Sequence, residues 1–503
     1  MAKAFRNRAS KQYYSSQHQL PLPGFETPFA QKLNPSNRWV VLAYKIPWDA
    51  LVSIYQTQMR NTRTGADGIN PRVAIGSIII KHMCDLSDRE TVLQIQENMY
   101  MQYFIGFSSF SDEEPFDPSL FVEFRKRLGA DQINRINETI LGLSEGKPPQ
   151  ENDTDEDSNT EQHVQDAPEP AVQQRPNEGR LIVDATACPQ DIRYPTDLDL
   201  LNDAREKSEE LIDHLFCPTR HIAKPRTYRM VARKVYLKTA QKKSKSKKEL
   251  RTAIKRQLNY LRRNIKNIHK LLECYESVPL DHHQYKYLLV IQTFYEQQLE
   301  MFLEKKHKVD HRIVSIHQPH VRPIVRGKTN AKVEFGAKIE VSIMNGFSFL
   351  EELSWEAYNE STRLMATIDR FKNRFGMYPA EVLVDKIYCT RENRRHLKEL
   401  GIKLRAKPLG RPKAVEAHVS PGERNPIEGK FGQAKSAYGL NRIKARLQQT
   451  SQSWIASIIM VLNLVKLAGQ APIILWVWLL TFSARLRLLF DTRWVQTSTI
   501  RHT

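Results

Sequence analysis

Three acidic residues, Asp184, Asp385 and Glu428, are the side chains in this sequence whose surroundings best fit a chemical role. Asp184 ends the apolar segment RLIVD and Asp385 ends AEVLVD, whereas Glu428 follows Asn425-Pro426 at the start of an expected helix. Carboxylate oxygens are the ligands that Mg²⁺ prefers, and a carboxylate at the end of a buried strand is costly unless a cation meets it. The pattern therefore predicts that these three side chains bind Mg²⁺ or Mn²⁺.

A pair of divalent ions held in this way would suit the cleavage of a phosphodiester bond. Two ions about 3.5–4 Å apart activate the attacking oxygen and stabilise the leaving oxygen. Each carboxylate also has an ordinary structural explanation. Asp184 would lie in a turn, Asp385 would cap the next helix, and Glu428 would occupy the first turn of a helix with Asn425 as its N-cap. The catalytic interpretation therefore depends on a fold that brings the three together.

The secondary structure expected around these residues has a specific order. Two segments with period-two alternation, VEFGAKIEVSI and FSFLEELSW, flank Asn345-Gly346, which is a strong signal for a hairpin turn. An amphipathic helix ending at Gly376 follows, and then the short strands AEVLVD and IKLRA on either side of a polar helix. This order predicts an α/β, ribonuclease-H-like catalytic domain at residues 180–470, with a mixed five-stranded sheet. In that fold the first and fourth strands are neighbours at the sheet centre, and the last helix packs on them.

Residues 224–270 carry most of the excess positive charge of the chain. The segment holds 18 Lys or Arg residues and one acid, Glu249, in a protein with a formal net charge of +20. Such an excess favours a polyanionic partner, and its one-sidedness favours contact with DNA phosphates over an ordinary solvated face. The predicted DNA contacts here are Lys242, Lys243, Lys247 and Lys248.

The same segment has apolar residues at heptad spacing, which predicts a helical hairpin inserted at residues 203–320. The seam consists of Ile254, Leu258, Leu261, Ile265, Ile268 and Leu272. A second periodic stretch follows the break at Ser277-Val-Pro279. The hairpin would support a dimer or clamp DNA, and the pattern allows both.

The 503 residues are too many for one compact core and indicate several domains. We predict a flexible N-terminus at 1–35 and a helical domain at 36–145 that either binds DNA or serves for docking. Residues 151–169 contain eight acids and no Lys or Arg, which predicts an acidic disordered linker at 146–179. The remaining residues, 471–503, are expected to form a helical tail.

No membrane segment is expected. The N-terminus lacks an apolar signal core, and the longest apolar run, Ala471 to Phe482, is well short of the roughly 20 residues that span a bilayer. None of the five cysteines forms a C-x-x-C pair. A protein that acts on DNA in the cytoplasm fits these features.

The segment RNPIEGKFGQAK resembles the C-terminal signature of bacterial insertion-sequence DDE transposases of the insertion-sequence-five type. That signature has Tyr, then Arg, then Glu four residues on, then Lys seven further on. Arg424, Glu428 and Lys435 match it, whereas Pro421 stands at the Tyr position. VLVDKIYCTRENRRHLKELGIKL resembles the second-Asp segment of the family, with Ile387 where many relatives have Gly. RLIVDATACPQDIRYPTDLDLLN resembles the first-Asp segment, and FDPSLFVEFRKRL resembles the N-terminal helical domain.

The resemblance, which runs from about residue 36 to 468, implies a DNA transposase. Transposon ends would be cut by hydrolysis, and the freed 3′-hydroxyl would then attack target DNA, both with two Mg²⁺ (or Mn²⁺) ions. The expected partners are double-stranded DNA, as inverted repeats and target, and a second copy of the chain in a synaptic homodimer. Arg424 and Lys435 would position the transposon-end backbone. Two alternatives remain: a nuclease of the same fold without strand transfer, and an inactive transposase-derived DNA-binding protein.

Gly429 and Gly432 stand out in the signature segment because glycine weakens a helix. Close approach of a DNA strand would explain them, and so would tight packing on the sheet.

Overall fold

The computed structural model describes residues 32–59, 68–143, 176–325, 333–406 and 421–469. All of the predicted C-terminal tail, and most of the predicted acidic linker and of the predicted N-terminal segment, lie outside these ranges.

Within the described ranges, seven helices precede the first strand. They are α1 (Arg38–Lys45), α2 (Trp48–Gln56), α3 (Pro71–Met83), α4 (Asp88–Glu97), α5 (Met99–Ile105), α6 (Leu120–Arg127) and α7 (Ala130–Ile140). Their starts follow local sequence signals. The Asn70 side chain caps α3 ahead of Pro71, and the Ser87 hydroxyl accepts a hydrogen bond from the Glu90 amide of α4. The helical prediction for this region is therefore confirmed, whereas its DNA-binding role stays a prediction.

A mixed sheet lies at the centre of the rest of the chain. Its strands are β1 (Arg180–Pro189), β2 (Arg322–Val325), β3 (Val333–Met344), β4 (Phe347–Ser354), β5 (Glu381–Leu383) and β6 (Lys403–Arg405). The strand β1 pairs antiparallel with one edge of β3, and both β2 and β4 pair antiparallel with its other edge. On its far side β1 pairs in parallel with β5, which pairs in parallel with β6.

The sheet therefore has six strands in the described part of the chain, and the prediction of five was wrong. The additional strand is β2, a four-residue edge strand that contains Pro323 and pairs with the start of β3. The predicted hairpin turn is present. Asn345 and Gly346 both have positive φ, 51° and 79°, which is the conformation that a two-residue hairpin turn needs.

Helices cover both faces of the sheet. The remaining helices outside the insertion are α12 (Leu364–Phe375), α13 (Arg391–Glu399), α14 (Asn425–Ala437) and α15 (Gln448–Ala468). One face, through Leu181 and Val183, packs on α12 and α13. The other face, through Ile339 and Val341, shares one hydrophobic core with α15 and the N-terminal helices.

The helix α15 is apolar enough in length and composition to cross a membrane. It is instead mostly buried, with contacts to α1, α3, α6, α7, α14 and β4. Core helices of globular proteins commonly have this composition, so its apolar character reflects packing inside the molecule.

The insertion between β1 and β2 is a bundle of four helices, so the predicted two-helix hairpin was incomplete. The four helices are α8 (Asp197–Leu215), α9 (Arg229–Ala240), α10 (Lys247–Leu272) and α11 (His282–Glu304). Full capping boxes begin α10, at Ser246 and Glu249, and α11. The bundle starts earlier than the predicted boundary at residue 203, because α8 also belongs to it. This helix is rich in acids, and its apolar side packs on α10.

Candidate active site

Asp184 lies in the middle of β1, so its predicted place at the end of a strand was wrong. The strand continues because the residues after Asp184 still pair with β3, as far as Pro189 opposite Gly336. Side chains alternate along a strand, so Asp184 shares a sheet face with Ile182. Ile182 packs against Ile427 of α14, and Asp184 therefore lies on the face that α14 covers.

Asp385 follows β5, the strand that neighbours β1. Their parallel register pairs Ile182 with Leu383, and Asp184 and Asp385 each lie two residues further on. Asp385 also caps a 3₁₀ turn at Lys386–Tyr388, and its Oδ1 accepts a hydrogen bond of 2.8 Å from the Lys386 amide. The fold thus brings two carboxylates together that are 201 positions apart in the sequence.

Glu428 is in the first turn of α14, one residue after the buried Ile427. Ile427 contacts the cluster of Ile182, Ile343 and Leu383, so the two strands that carry the aspartates also seat the helix. Asn425 is the first residue of the helix and Arg424 precedes it, so the predicted N-cap at Asn425 was wrong.

One cavity of about 830 Å³ is lined by all three acids and by Lys435. Within the ranges given above, no group of three or more His, Cys, Asp or Glu side chains is close enough to hold a metal ion directly. The three acids therefore share a cavity without forming a ready metal cage.

The guanidinium of Arg424 lies between the two aspartates. Its Nη2 is 3.0 Å from Asp184 Oδ2, and its Nη1 is 3.2 Å from Asp385 Oδ1. The neighbouring Glu423 pairs with Arg405 of β6 at 3.1 Å, which ties the segment before α14 to the sheet. A positive charge is thus held between two carboxylates, which is the electrostatic arrangement that a cation site requires.

Burial dominates the acidity of Asp184. Desolvation raises the pKa of this carboxyl to about 6, although the nearby Arg424 guanidinium lowers it. Glu360 and Asp385 add smaller effects in the raising direction. The side chain of Asp385, in contrast to that of Asp184, is about half exposed to solvent. Additional positive charge in the cavity would favour the ionised form of Asp184.

Two further charged residues line this cavity, and sequence reasoning missed both. Lys338 of β3 lies opposite Ala187, and its Nζ is 2.8 Å from Glu360, in a 3₁₀ turn at Glu360–Thr362. No motif marks either residue. The two residues meet at the cavity only in the folded protein, where β3 pairs with β1 and the Glu360 turn contacts Lys338.

The predicted DNA-binding residues lie in two places. Lys435 lines the cavity, and Arg424 contacts two of the carboxylates that line it. Lys242, Lys243, Lys247 and Lys248 are exposed between α9 and the start of α10, and none of the four lines the cavity. Lys242 is paired with Glu249 at 2.6 Å. Its charge is therefore partly neutralised within the bundle.

The two glycines of α14 have open surroundings. A Cβ atom added at Gly429 or at Gly432 would meet no atom within 4 Å. Tight packing on the sheet therefore does not explain either glycine. Gly432 lines the cavity, whereas Gly429 is not among its lining residues.

Two family models match the chain. Residues 28–127 match a model described as a transposase domain (DUF772), and residues 382–465 match one described as a transposase DDE domain. Over these two regions the chain is therefore similar to DDE-type transposases. The second match includes Asp385, Arg424, Glu428 and Lys435, whereas Asp184 lies outside both matches.

The chain is also similar to a curated protein from Rhizobium meliloti, the uncharacterized protein ORF8 in the nfe locus. The two are 35% identical over 104 residues, which is 21% of this chain. The chain spans about half (49%) of the length of this relative. No solved structure matches.

Proposed function

We propose that this protein is a transposase that cuts the ends of a transposon and joins them to target DNA, with Asp184, Asp385 and Glu428 as its catalytic carboxylates. The observation that carries the proposal is that Asp184 and Asp385 each lie two residues beyond the paired Ile182 and Leu383 of neighbouring strands, with Glu428 in the same cavity. Such a site on a strongly basic chain fits a DNA phosphodiester as the substrate.

The donor set fits divalent metal ions. Carboxylate oxygens are hard ligands suited to Mg²⁺ or Mn²⁺, and the Arg424 guanidinium is a positive charge already held by two of the three carboxylates. Two bound ions would supply activation of the attacking oxygen and stabilisation of the leaving oxygen. We assign them to Asp184, Asp385 and Glu428. Arg424 and Lys435 would hold the transposon-end backbone by contacts to its phosphates.

We also assign the catalytic region to the ribonuclease-H-like fold. With the additional strand β2 set aside, β1 and β5 are the first and fourth strands, and they are neighbours in the sheet. The helix α14 packs on them through Ile427, as the last helix of that fold would. Both features support the assignment.

A strand-transfer assay tests the proposal. Purified transposase would be incubated with Mg²⁺, a supercoiled plasmid and labelled DNA carrying the inverted repeats found beside its gene. Covalent joining of the label to the plasmid, lost in Asp184→Asn, is expected. Cutting without joining would instead favour a nuclease of the same fold. Binding without cutting would favour an inactive DNA-binding protein.

One face of α10 fits a DNA backbone and extends the predicted lysine cluster. Lys248, Lys255, Arg262 and Lys266 are exposed and spaced seven, seven and four residues apart, so they lie along one side of the helix. They span about 27 Å at 1.5 Å per residue. None of them forms an ion pair with another residue that the structure places. We propose that this face contacts DNA phosphates.

The heptad seam of α10 does not provide a dimer contact in this arrangement. Leu258, Leu261 and Ile268 are buried against α8 and α11 within the same bundle. We propose that the transposase acts as a homodimer because two DNA ends must be processed together. The contact between its subunits would then involve another surface.

The salt dependence of DNA binding tests the α10 face. Each lost phosphate contact lowers the slope of log K against log salt by about 0.9. The triple variant Lys255→Gln, Arg262→Gln and Lys266→Gln is therefore expected to lower the slope by about 2 to 3. The matched control, Lys286→Gln, Lys305→Gln and Lys308→Gln, removes equal charge from exposed positions elsewhere in the bundle. Equal slopes for the two variants would refute this interface.

A further inference from the structure

A carboxylate is buried under the sheet beside the candidate active site. Glu340 of β3 is fully buried and lies opposite Ala185, the residue that follows Asp184. Side chains alternate, so Glu340 is on the face opposite Asp184, towards α12. A buried carboxylate costs free energy unless hydrogen bonds compensate, so its partners indicate what it does.

Two buried hydroxyl groups donate to Glu340. The Tyr388 hydroxyl donates to Oε1 at 2.9 Å, and the Thr367 hydroxyl of α12 donates to Oε2 at 2.8 Å. Both donors are inaccessible to solvent. The two bonds have similar geometry and surroundings, yet they connect Glu340 to different parts of the fold.

Tyr388 closes the turn that Asp385 begins. The Tyr388 amide donates to the Asp385 carbonyl at 3.1 Å, and its ring packs in the core between β5 and α12. The Asn393 side-chain amide also donates to the Tyr388 carbonyl at 2.9 Å. Because β5 ends at Leu383, strand pairing does not hold this turn. Side-chain bonds to Tyr388, together with the turn's own backbone hydrogen bonds, hold it in place.

We propose that Glu340, acting through the Tyr388 hydroxyl, is a positioning residue that fixes the direction of the Asp385 carboxylate. The proposal rests on the proposed function, because it gives Asp385 the role of a metal ligand. A ligating carboxylate depends on an oriented backbone, and loss of an outer-shell partner of a metal ligand typically lowers metal affinity 10- to 100-fold.

Two isosteric variants separate positioning from general stability. Tyr388→Phe removes the hydroxyl that links Glu340 to the Asp385 turn. Thr367→Val removes the other hydroxyl bonded to the same carboxylate, on a helix that carries none of the candidate ligands. Mn²⁺ affinity would be measured by electron paramagnetic resonance, with thermal unfolding of each variant. We expect Tyr388→Phe to weaken Mn²⁺ binding at least about tenfold and Thr367→Val to change it less than about twofold. Equal affinities in the two variants would overturn the proposal.

A second pair of variants tests Glu340 itself. Glu340→Gln keeps an oxygen that can accept from Tyr388, whereas Glu340→Leu removes both acceptors. Glu340→Gln is expected to bind Mn²⁺ substantially more tightly than Glu340→Leu does. A purely structural role would instead leave the two with the same Mn²⁺ affinity once both are folded.

Hydrogen exchange provides a readout that does not depend on metal. The amides of residues 386–390 should exchange faster in Tyr388→Phe than in Thr367→Val, and equal exchange would refute the positioning role. If the wild-type protein bound no Mn²⁺, or if Asp184→Asn bound it equally well, the proposed metal site would fail instead. The two failures are therefore distinguishable.

Discussion

Asp184 on β1 and Asp385, just after the neighbouring parallel strand β5, each lie two residues beyond a directly paired apolar residue, Ile182 and Leu383. This relationship makes the two carboxylates a unit, because any shift of β5 against β1 would separate them. The Arg424 guanidinium, within 3.2 Å of both, keeps their negative charges compensated.

Asp184→Asn is expected to abolish DNA cutting while leaving DNA binding within about twofold of wild type. The amide is nearly isosteric but carries no charge. The cleavage rate should therefore fall by more than the roughly 10- to 100-fold that follows from removing an outer-shell partner of a metal ligand. Single-turnover cleavage and a gel-shift assay measure the two properties. Asp191→Asn is the control, because Asp191 forms an exposed ion pair with Arg442 just beyond β1. Normal cutting by Asp184→Asn would refute the site assignment.

Arg424→Gln is expected to strengthen Mn²⁺ binding about tenfold in the absence of DNA. The guanidinium occupies Asp184 Oδ2 and Asp385 Oδ1, and a hydrogen bond to a charged group contributes about 1.5 kcal/mol net. A bound ion must compete with it for these oxygens. Titration calorimetry measures the affinity, and Arg442→Gln serves as the control.

The same Arg424→Gln variant should bind transposon-end DNA more weakly, because Arg424 is also the proposed phosphate contact. Opposite changes in metal and DNA affinity are the distinctive outcome. Weaker Mn²⁺ binding would mean that Arg424 supports the site rather than competing within it.

The sequence predicted the parts of this fold that depend on local signals. Asn345-Gly346 favours one turn type through backbone conformation alone, and proline at the start of α3 favours a helix start. The neighbouring position of Asp184 and Asp385 is different, because strand pairing across 200 residues leaves no local pattern. That expectation came from the order of the elements and from a family resemblance.

Other features had no signal that sequence reasoning can use. The strand β2 has four residues and a proline, so it forms only because β3 presents an open edge. Glu340 stands in an alternating segment where an acid would be expected on a solvated face. It is buried because α12 covers that face and supplies a hydroxyl, which no periodicity indicates.

Glu340→Gln is expected to remove part of the pH dependence of stability. Burial raises the pKa of Glu340 to about 7 from its ordinary 4.5, against the lowering effect of the Thr367 and Tyr388 hydroxyls. Because the folded-state pKa is the higher one, the protonated group favours folding below about pH 4.5. That contribution is lost as the pH rises through about 7.

The wild type should therefore lose stability relative to Glu340→Gln between about pH 5 and 8, by at most about 1.4 kcal/mol per pH unit. Urea unfolding at several pH values measures the difference. The contribution of Asp184 is common to both proteins and cancels. If the free energies of unfolding of the two proteins changed in parallel from pH 5 to 8, the raised pKa of Glu340 would be contradicted. Above pH 8 the two are expected to change in parallel.

Gly432→Ala and Gly429→Ala form a matched pair on α14. Each should stabilise the protein by about 0.5–1 kcal/mol, because alanine favours a helix and its Cβ would meet nothing within 4 Å at either position. Only Gly432 lines the cavity, so Gly432→Ala should raise KM for transposon-end DNA while Gly429→Ala leaves it unchanged. A DNA strand that approaches the backbone of α14 at Gly432 would clash with the added methyl group. Thermal unfolding and cleavage kinetics on both variants measure these effects. Higher stability without any change in KM for Gly432→Ala would show that DNA does not approach the helix there.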